Sequence, residues 1–463
     1  MTISDTLVPG NLMCEADASR HVAALVEQNH RRNHARFRIE EASPVERVGI
    51  VGAGFMGSVV AGSAVGYGIP VVITDLAPDA LARVTQKIRM AMRDERVVPL
   101  NDIDQKVAEL VSVTSSLAEV AACDLVVESI VENVTTKRTF YSGLERLCRD
   151  ETLIVSNTST LPIAELAAHL GNPQRFCGLH YFPPIGERKM LEIIPSAKTA
   201  DVATARLVRF SEQLGRIPMV VADGRGFLVN RILMAYMNAG IRLVMAGVDI
   251  HEIESAALAF GMRLGPIQLY DEVGLDVALQ CGWSLSADSA TLVARTPIIA
   301  RLMKLKHLGR KSGRGFFVHE VADSSEQIGE VTPQALQIIE SQMESRVELS
   351  RAEIEAAILL PMVIEATNLL EIERAHGPGQ VDLAVMCGFG FPAPRGGPLW
   401  WADQVGAARI VETLQSLEHV GPHLCPTQLL LDTAKQRVRF YDRNNDDRGE
   451  LAAGSSAAVR NRV

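Results

Sequence analysis

The 463-residue chain is poor in the features that mark secreted, membrane-spanning or cysteine-ligated metal proteins. Its seven cysteines (Cys14, Cys123, Cys148, Cys177, Cys281, Cys387, Cys425) lie far apart, and no C-x-x-C pair occurs. Neither a zinc site nor a disulfide framework is indicated, and no metal is expected. No uninterrupted apolar run approaches the roughly 18 residues that cross a bilayer. The first residues lack a basic stretch followed by a long apolar one, so no signal peptide is read. The C-terminal Arg460-Asn461-Arg462-Val463 is not a peroxisomal address of the S-K-L type. Positive charge is not in excess: the net charge of −9 argues against a general nucleic-acid surface. It still leaves room for a local basic pocket that takes an anionic ligand. A soluble, cytoplasmic protein about three domains long is the expectation.

What is present is a glycine pattern in an informative place. The apolar run Val48-Gly49-Ile50-Val51 feeds directly into Gly52-Ala53-Gly54-Phe55-Met56-Gly57, and a helix-compatible segment follows. The next apolar run, Val71-Val72-Ile73-Thr74, ends in Asp75. Strand, G-x-G-x-x-G, helix and a second strand ending in an acid form a dinucleotide-binding unit. Gly52 permits the tight turn, Gly54 the approach of a pyrophosphate, and Gly57 the close packing of helix on strand. The helix N-terminus offers free N–H groups and partial positive charge to the phosphates. Asp75 suits a ribose diol and repels a 2′-phosphate, which selects NAD.

From residue 46 to about 222, short apolar runs alternate with amphipathic segments, at 48–51, 71–74, 111–114, 124–128, 152–155, 176–179, 191–194 and 217–221. The first five predict a parallel sheet with crossover helices, and the shorter later gaps a less regular end. The texture changes at Gly224–Gly226, and helical periodicity dominates from Phe227. There G-P-[IL]-x-x-x-D-x-V-G occurs twice, from Gly265 to Gly274 and from Gly397 to Gly406, after Phe260-Gly261 and Phe389-Gly390. This echo predicts a duplicated helical unit. The expected organisation is an N-terminal helical extension over 1–45, a Rossmann-like NAD-binding domain over 46–222, helical repeats over 223–345 and 346–440, and a disordered tail over 441–463.

Within the α/β part, His180 closes a strand-like run and Glu192 sits inside another, Leu191-Glu192-Ile193-Ile194. A carboxylate in an apolar run is costly to bury without a partner. Pairing with His180 relieves that cost, sets the imidazole tautomer and stabilises the imidazolium, as in a catalytic triad. A nicotinamide enzyme that oxidises an alcohol needs such a base. The plainer alternative is a solvent-facing histidine beside an exposed edge glutamate. Ser156-Asn157-Thr158-Ser159-Thr160 follows the strand at 152–155, where it either touches ligand or caps a helix at 163–169. Asn230, in an apolar helix, needs a partner for its amide.

These residues bring out a resemblance. The motifs GAGFMG (52–57), VVESIVEN (126–133), SNTST (156–160), GLHYF (178–182), GFLVNR (226–231) and GRKSGRGFF (309–317) resemble the L-3-hydroxyacyl-CoA dehydrogenases. Together with FGFPAPRGGP (389–398), the chain from about 46 to 435 is most similar to the dehydrogenase part of multifunctional fatty-acid-oxidation proteins. The resemblance implies NAD-dependent oxidation of L-3-hydroxyacyl-CoA to 3-ketoacyl-CoA. By it His180 is the base, Glu192 its partner, Ser159 a contact to substrate hydroxyl and cofactor, and Asn230 a contact on the substrate carbonyl side. With Gly52, Gly54 and Gly57, the residues Met56, Asp75, Glu132, Lys137 and Ser159 are implied to hold the dinucleotide.

The chain departs from the family at several points. Pro183 stands where the family has asparagine, with no side-chain hydrogen bond to offer. The basic grip on CoA phosphates is reduced to Arg83, Lys87, Arg89, Arg93 and Arg96, and Leu424 replaces a frequent aromatic. There is no room for the hydratase half of the multifunctional forms. Two other readings therefore stand beside the first: a dehydrogenase of another β-hydroxy substrate, such as a carrier-protein thioester or sugar acid, and a non-catalytic dinucleotide-binding subunit. An acyl-CoA-type substrate is the expected small-molecule partner. The helical surface suits a homodimer, and a separate hydratase or thiolase is a partner by family analogy.

Overall fold

A computed structural model describes residues 12–95, 98–182, 189–288, 297–319, 328–343 and 346–443. Eight strands form one sheet: β1 (Val48–Val51), β2 (Val71–Thr74), β3 (Val111–Val113), β4 (Leu125–Glu128), β5 (Leu153–Ser156), β6 (Phe176–Tyr181), β7 (Met190–Pro195) and β8 (Ile217–Val220). Their order is β3-β2-β1-β4-β5-β6-β7-β8. β1, β2, β4 and β5 are wholly buried, because helices cover both faces and strands so placed read as continuous apolar runs. The parallel part extends through β6, one strand further than the five expected. Only β7 runs antiparallel to its neighbour, and β8 is parallel to β7. β1 lies between β2 and β4, so the chain order reverses there. The carboxyl ends of β1 and β4 consequently bound a ligand crevice.

One face of the sheet buries its own cluster, to which the N-terminal extension adds Phe37, Ile39, Ala42 and Val45. The other face joins Tyr141 and Phe176 to Phe227, Tyr236 and the rest of the helical part in one continuous core. The N-terminal helix Glu15–Arg36 reaches across both parts. Near its start Met13 N–H donates to Pro394 O and His21 Nε2 lies 3.0 Å from Gly396 O. Near its end Asn29 and Asn33 both donate to Pro218 O at 2.9 Å.

The helical part repeats a plan. Helices Val229–Met245, Ile250–Phe260, Pro266–Val273 and Leu275–Ser286 are followed by Arg351–Glu371, Pro378–Phe389, Pro398–Val405 and Ala407–Ser416. The second helix of each set ends on a left-handed glycine, Gly261 (φ 111°) or Gly390 (φ 86°). A buried acid on that helix accepts two N–H groups from the next helix: Glu254 from Ile267 and Gln268, Asp382 from Leu399 and Trp400. The motif aspartate then anchors a downstream segment. Asp271 accepts from the N–H groups of Phe316 and Phe317, and Asp403 from those of Phe440 and Tyr441. The second anchor lies in a helix, Phe440–Arg443, so ordered chain continues past residue 440, where the sequence had placed the start of a disordered tail. Residues 444–463 lie outside the described residues.

Candidate active site

The three motif glycines meet three different surroundings. Gly52 has φ 108°, and a Cβ there would come 2.5 Å from Ser129 O. A Cβ on Gly57 would come 1.8 Å from Gly52 O, where strand and helix touch. A Cβ on Gly54 would meet nothing within 4 Å, so its backbone faces open space. That is the asymmetry a pyrophosphate cradle requires. No side chain caps the helix Phe55–Gly66, so its first N–H groups are left for a ligand. Phe55, Leu76 and Val131, which follow β1, β2 and β4, are exposed apolar side chains around the same crevice. Met56 follows Phe55 in the first turn and is partly buried. Asp75 sits at the end of β2 and accepts from Ala53 N–H at 2.6 Å and Ala77 N–H at 2.8 Å. A carboxylate has about four acceptor positions, so it can still take a ribose diol. These residues fit a dinucleotide.

Beside the crevice lies a buried acid that the sequence reading passed over. Glu128 is wholly buried at the end of β4. It accepts from Lys137 Nζ (2.6 Å), Ser156 Oγ (2.8 Å), Ile130 N–H (2.7 Å) and the Tyr141 hydroxyl. Burial raises the Tyr141 phenol well above its usual pKa, with the Glu128 charge adding to the effect. Lys137 is thus spent on Glu128, with Glu132 3.4 Å away, and is almost fully buried. The acid nearer the crevice is Glu132, which accepts from the Thr158 hydroxyl and from Ser159 N–H at 3.2 Å. Glu128 was detectable by the rule that singled out Glu192, since it too is a carboxylate in an apolar run.

The antiparallel register of β6 and β7 sets His180 opposite Glu192. His180 Nδ1 lies 2.9 Å from Glu192 Oε2. His180 is 5% exposed and Glu192 is wholly buried. The second carboxylate oxygen, Oε1, accepts from Val229 N–H (3.1 Å) and Leu228 N–H (3.4 Å), at the start of the first long helix. That helix has no side-chain cap of its own. One acid therefore orients the imidazole and ties the helical part to the sheet. Asn230 lies in the first turn of this helix, and its amide donates to Ser159 O at 2.9 Å. With the Ser159 N–H on Glu132 and its carbonyl on Asn230, the hydroxyl is the group of Ser159 left for a ligand. The SNTST hydroxyls do not cap the following helix. Asp223 does, accepting from Ile163 and Ala164 N–H at 2.7 and 2.6 Å.

Of the other sequence candidates, Lys87 reaches the glycine turn, where it donates to Ala53 O. Arg89 is paired with Asp104, and Arg96 falls outside the described residues. Pro183 and Pro184 also lie outside them. Leu424 is buried in a short turn, Pro422–Leu424, that packs against the helix Arg351–Glu371. Among the described residues no helix is long and apolar enough to cross a membrane.

Known proteins agree with this picture. The NAD-binding domain of 3-hydroxyacyl-CoA dehydrogenase matches residues 47–224, and the C-terminal domain of the same family matches 226–319. These are 178 and 94 residues, 272 of 463 together. A fatty acid oxidation complex subunit alpha from Idiomarina loihiensis is 30% identical over 434 residues, which are 93% of this chain. The chain spans 60% of that relative's length. The crystal structure of (S)-3-hydroxybutyryl-CoA dehydrogenase from Ralstonia eutropha is 29% identical with a TM-score of 0.54, covering 60% of this chain and 99% of that one. The dehydrogenase part of a multifunctional enzyme from C. elegans is 25% identical with a TM-score of 0.60, covering 85% and 90%. With its NAD-binding domain followed by helices, the chain belongs to the 3-hydroxyacyl-CoA dehydrogenase family.

Proposed function

We propose that this protein oxidises the 3-hydroxyl of L-3-hydroxyacyl-CoA thioesters to the 3-ketone, a reaction of the β-oxidation type. The single observation that carries the reading is the buried His180–Glu192 pair at 2.9 Å, beside Ser159 and Asn230. NAD in the crevice supplies the acceptor for the C3 hydride. Glu192 holds the proton of His180 on Nδ1, so Nε2 carries the lone pair that takes the hydroxyl proton. As that proton arrives, the imidazolium is stabilised by a carboxylate kept dry by its surroundings. Ser159 Oγ holds the reacting oxygen. Asn230, fixed to Ser159 O, keeps that serine in place and faces the thioester side. Asp75 and Glu132 meet the dinucleotide directly, and Lys137 acts through Glu132. The relative in a fatty acid oxidation complex makes a separate hydratase or thiolase the partner we propose, and seven free thiols suit a cytoplasmic setting.

His180→Gln tests the reading. NADH affinity is expected to stay within a few-fold of wild type, while kcat with 3-hydroxybutyryl-CoA falls about 10²- to 10⁴-fold. Near-wild-type kcat in that variant would remove the pair from the mechanism. Silence of the wild-type protein on every CoA ester, with turnover of a free hydroxy acid, would move the substrate to another class.

A further inference from the structure

The N-terminal helix Glu15–Arg36 carries His30 and His34 one turn apart, and both rings converge on one carboxylate oxygen from another element. His30 Nδ1 lies 3.4 Å and His34 Nε2 3.2 Å from Glu212 Oε1, at the end of the helix Asp201–Gln213. The candidate ligand atoms of the three residues all lie within 4.8 Å of one another. The remaining ring nitrogen of His34, Nδ1, lies 2.8 Å from Glu40 Oε1.

We propose that His30, His34 and Glu212 form a binding site for a divalent cation of the zinc type. The residue types are those zinc prefers, two imidazoles and a carboxylate, and they come from two separate elements. The dimensions agree as well. Ligand bonds of about 2.0–2.1 Å in a tetrahedron set neighbouring ligand atoms about 3.3–3.4 Å apart. The two N···O separations, 3.4 and 3.2 Å, are close to that edge. They are long for N–H···O bonds, whose usual length is about 2.9–3.0 Å. The two rings lie side by side, with centres 4.0 Å apart, so both can face one cation held at Glu212. Glu40 supplies the outer partner that such sites carry: by accepting from His34 Nδ1 it directs the Nε2 lone pair at the centre. The His30 side chain is about half exposed, at 49%, so a cation can enter from solvent and keep a water as fourth ligand.

The consequence is structural. The same helix is held at its start by the second helical repeat and at its end by β8. A cation between His30, His34 and Glu212 fastens this strap to the NAD-binding domain, and binding to the folded form alone raises its stability by mass action.

The experiment uses the full chain, stripped with a chelator and titrated with Zn²⁺ by calorimetry, with bound metal counted after dialysis. One equivalent is expected, with a rise in Tm. Co²⁺ in its place is expected to show the ligand-field absorption of a four-coordinate site. His30→Gln changes a half-exposed side chain and should fold normally, yet lose both the equivalent and the rise in Tm. Glu40→Gln, which touches no metal, should weaken binding about 10- to 100-fold. Wild-type protein that holds no stoichiometric Zn²⁺, or His30→Gln and His34→Gln that bind it as wild type does, would overturn the proposal; binding at Cys14 or Cys425 would give that second result.

Discussion

The long helices that open the two helical repeats are capped in opposite ways. Arg351–Glu371 caps itself: Ser350 Oγ accepts from Glu353 N–H and Glu353 Oε2 accepts from Ser350 N–H, a complete capping box. Val229–Met245 has no cap of its own and takes Glu192 from β7 instead. The difference teaches how a duplicated unit divides its labour. A helix that satisfies its own end is free of the sheet and can serve as packing. A helix whose end is satisfied by a buried acid of another domain is locked to that acid. Here the acid is also the partner of His180, so the lock holds the first repeat, with Asn230, at the crevice. The anchoring acids farther along are retained in both repeats, since each repeat must still hold its own downstream segment.

The strongest way to break this contrast is to alter the two caps. Glu192→Gln should keep an acceptor for the helix end but present an amide to His180 Nδ1. The expected result is a fall in kcat of about 10²- to 10⁴-fold with NADH affinity nearly unchanged. Ser350→Ala should cost about 1 kcal/mol of stability and leave kcat as it was. Steady-state kinetics and denaturant melts on both variants decide it. A kinetic defect in Ser350→Ala as large as that in Glu192→Gln would erase the distinction.

A smaller difference is expected at the anchoring aspartates. Asp271 is almost fully buried and also lies 2.8 Å from His319 Nε2, whereas Asp403 is half-buried with two backbone donors. Removing a carboxylate leaves its donors unpaired, at about 1–3 kcal/mol for a buried group. Asp271→Ala should therefore lie at the top of that range and Asp403→Ala near the bottom, read from chemical denaturation. The reverse order would show that the second repeat carries more of the stability than its burial suggests.

The smallest difference between the repeats is one of pH. Burial pushes the Glu254 carboxyl up to about 8, partly offset by the N–H groups of Ile267 and Gln268. It pushes Asp382 up to about 7, offset by Leu399, Tyr441 and Trp400. A carboxyl raised in the folded state keeps a proton that the unfolded chain has released. Folding gains from this below the ordinary carboxylate pKa and loses the gain as pH rises through the folded value. Tm should thus decline from the ordinary values of 4.5 and 3.8 up to about 8 for Glu254 and about 7 for Asp382. Asp382→Asn should flatten the slope only below about pH 7, and Glu254→Gln up to about pH 8. Identical profiles for the two variants would deny that the repeats differ in this respect.

The strand runs, the glycine turn with Asp75 and the duplicated G-P motif were legible in the sequence, because each is a local pattern with a local cause. The runs show where both faces are covered, and Gly52 stands where a Cβ would strike Ser129 O. The copying went further than the motif showed. Lys311-Ser312-Gly313-Arg314-Gly315-Phe316-Phe317 is echoed, 124 residues on, by Lys435-Gln436-Arg437-Val438-Arg439-Phe440-Tyr441. Gly313 and Arg437 are both left-handed at φ 73° and 54°, and Phe316-Phe317 and Phe440-Tyr441 meet Asp271 and Asp403. Only two of seven residues are identical, so the match emerges from hydrogen bonding rather than from letters. Pairing was a matter for tertiary structure throughout. Residue types alone left His180 and Glu192 with an exposed alternative, and the antiparallel register of β6 and β7 decided between them. The sharing of Glu192 with a helix end, the burial of Lys137 against Glu128, and the meeting of His30 and His34 with Glu212 had the same origin. Sequence determines which groups must find partners, since burial makes an unpaired charge expensive, but long-range packing decides which partner each one finds.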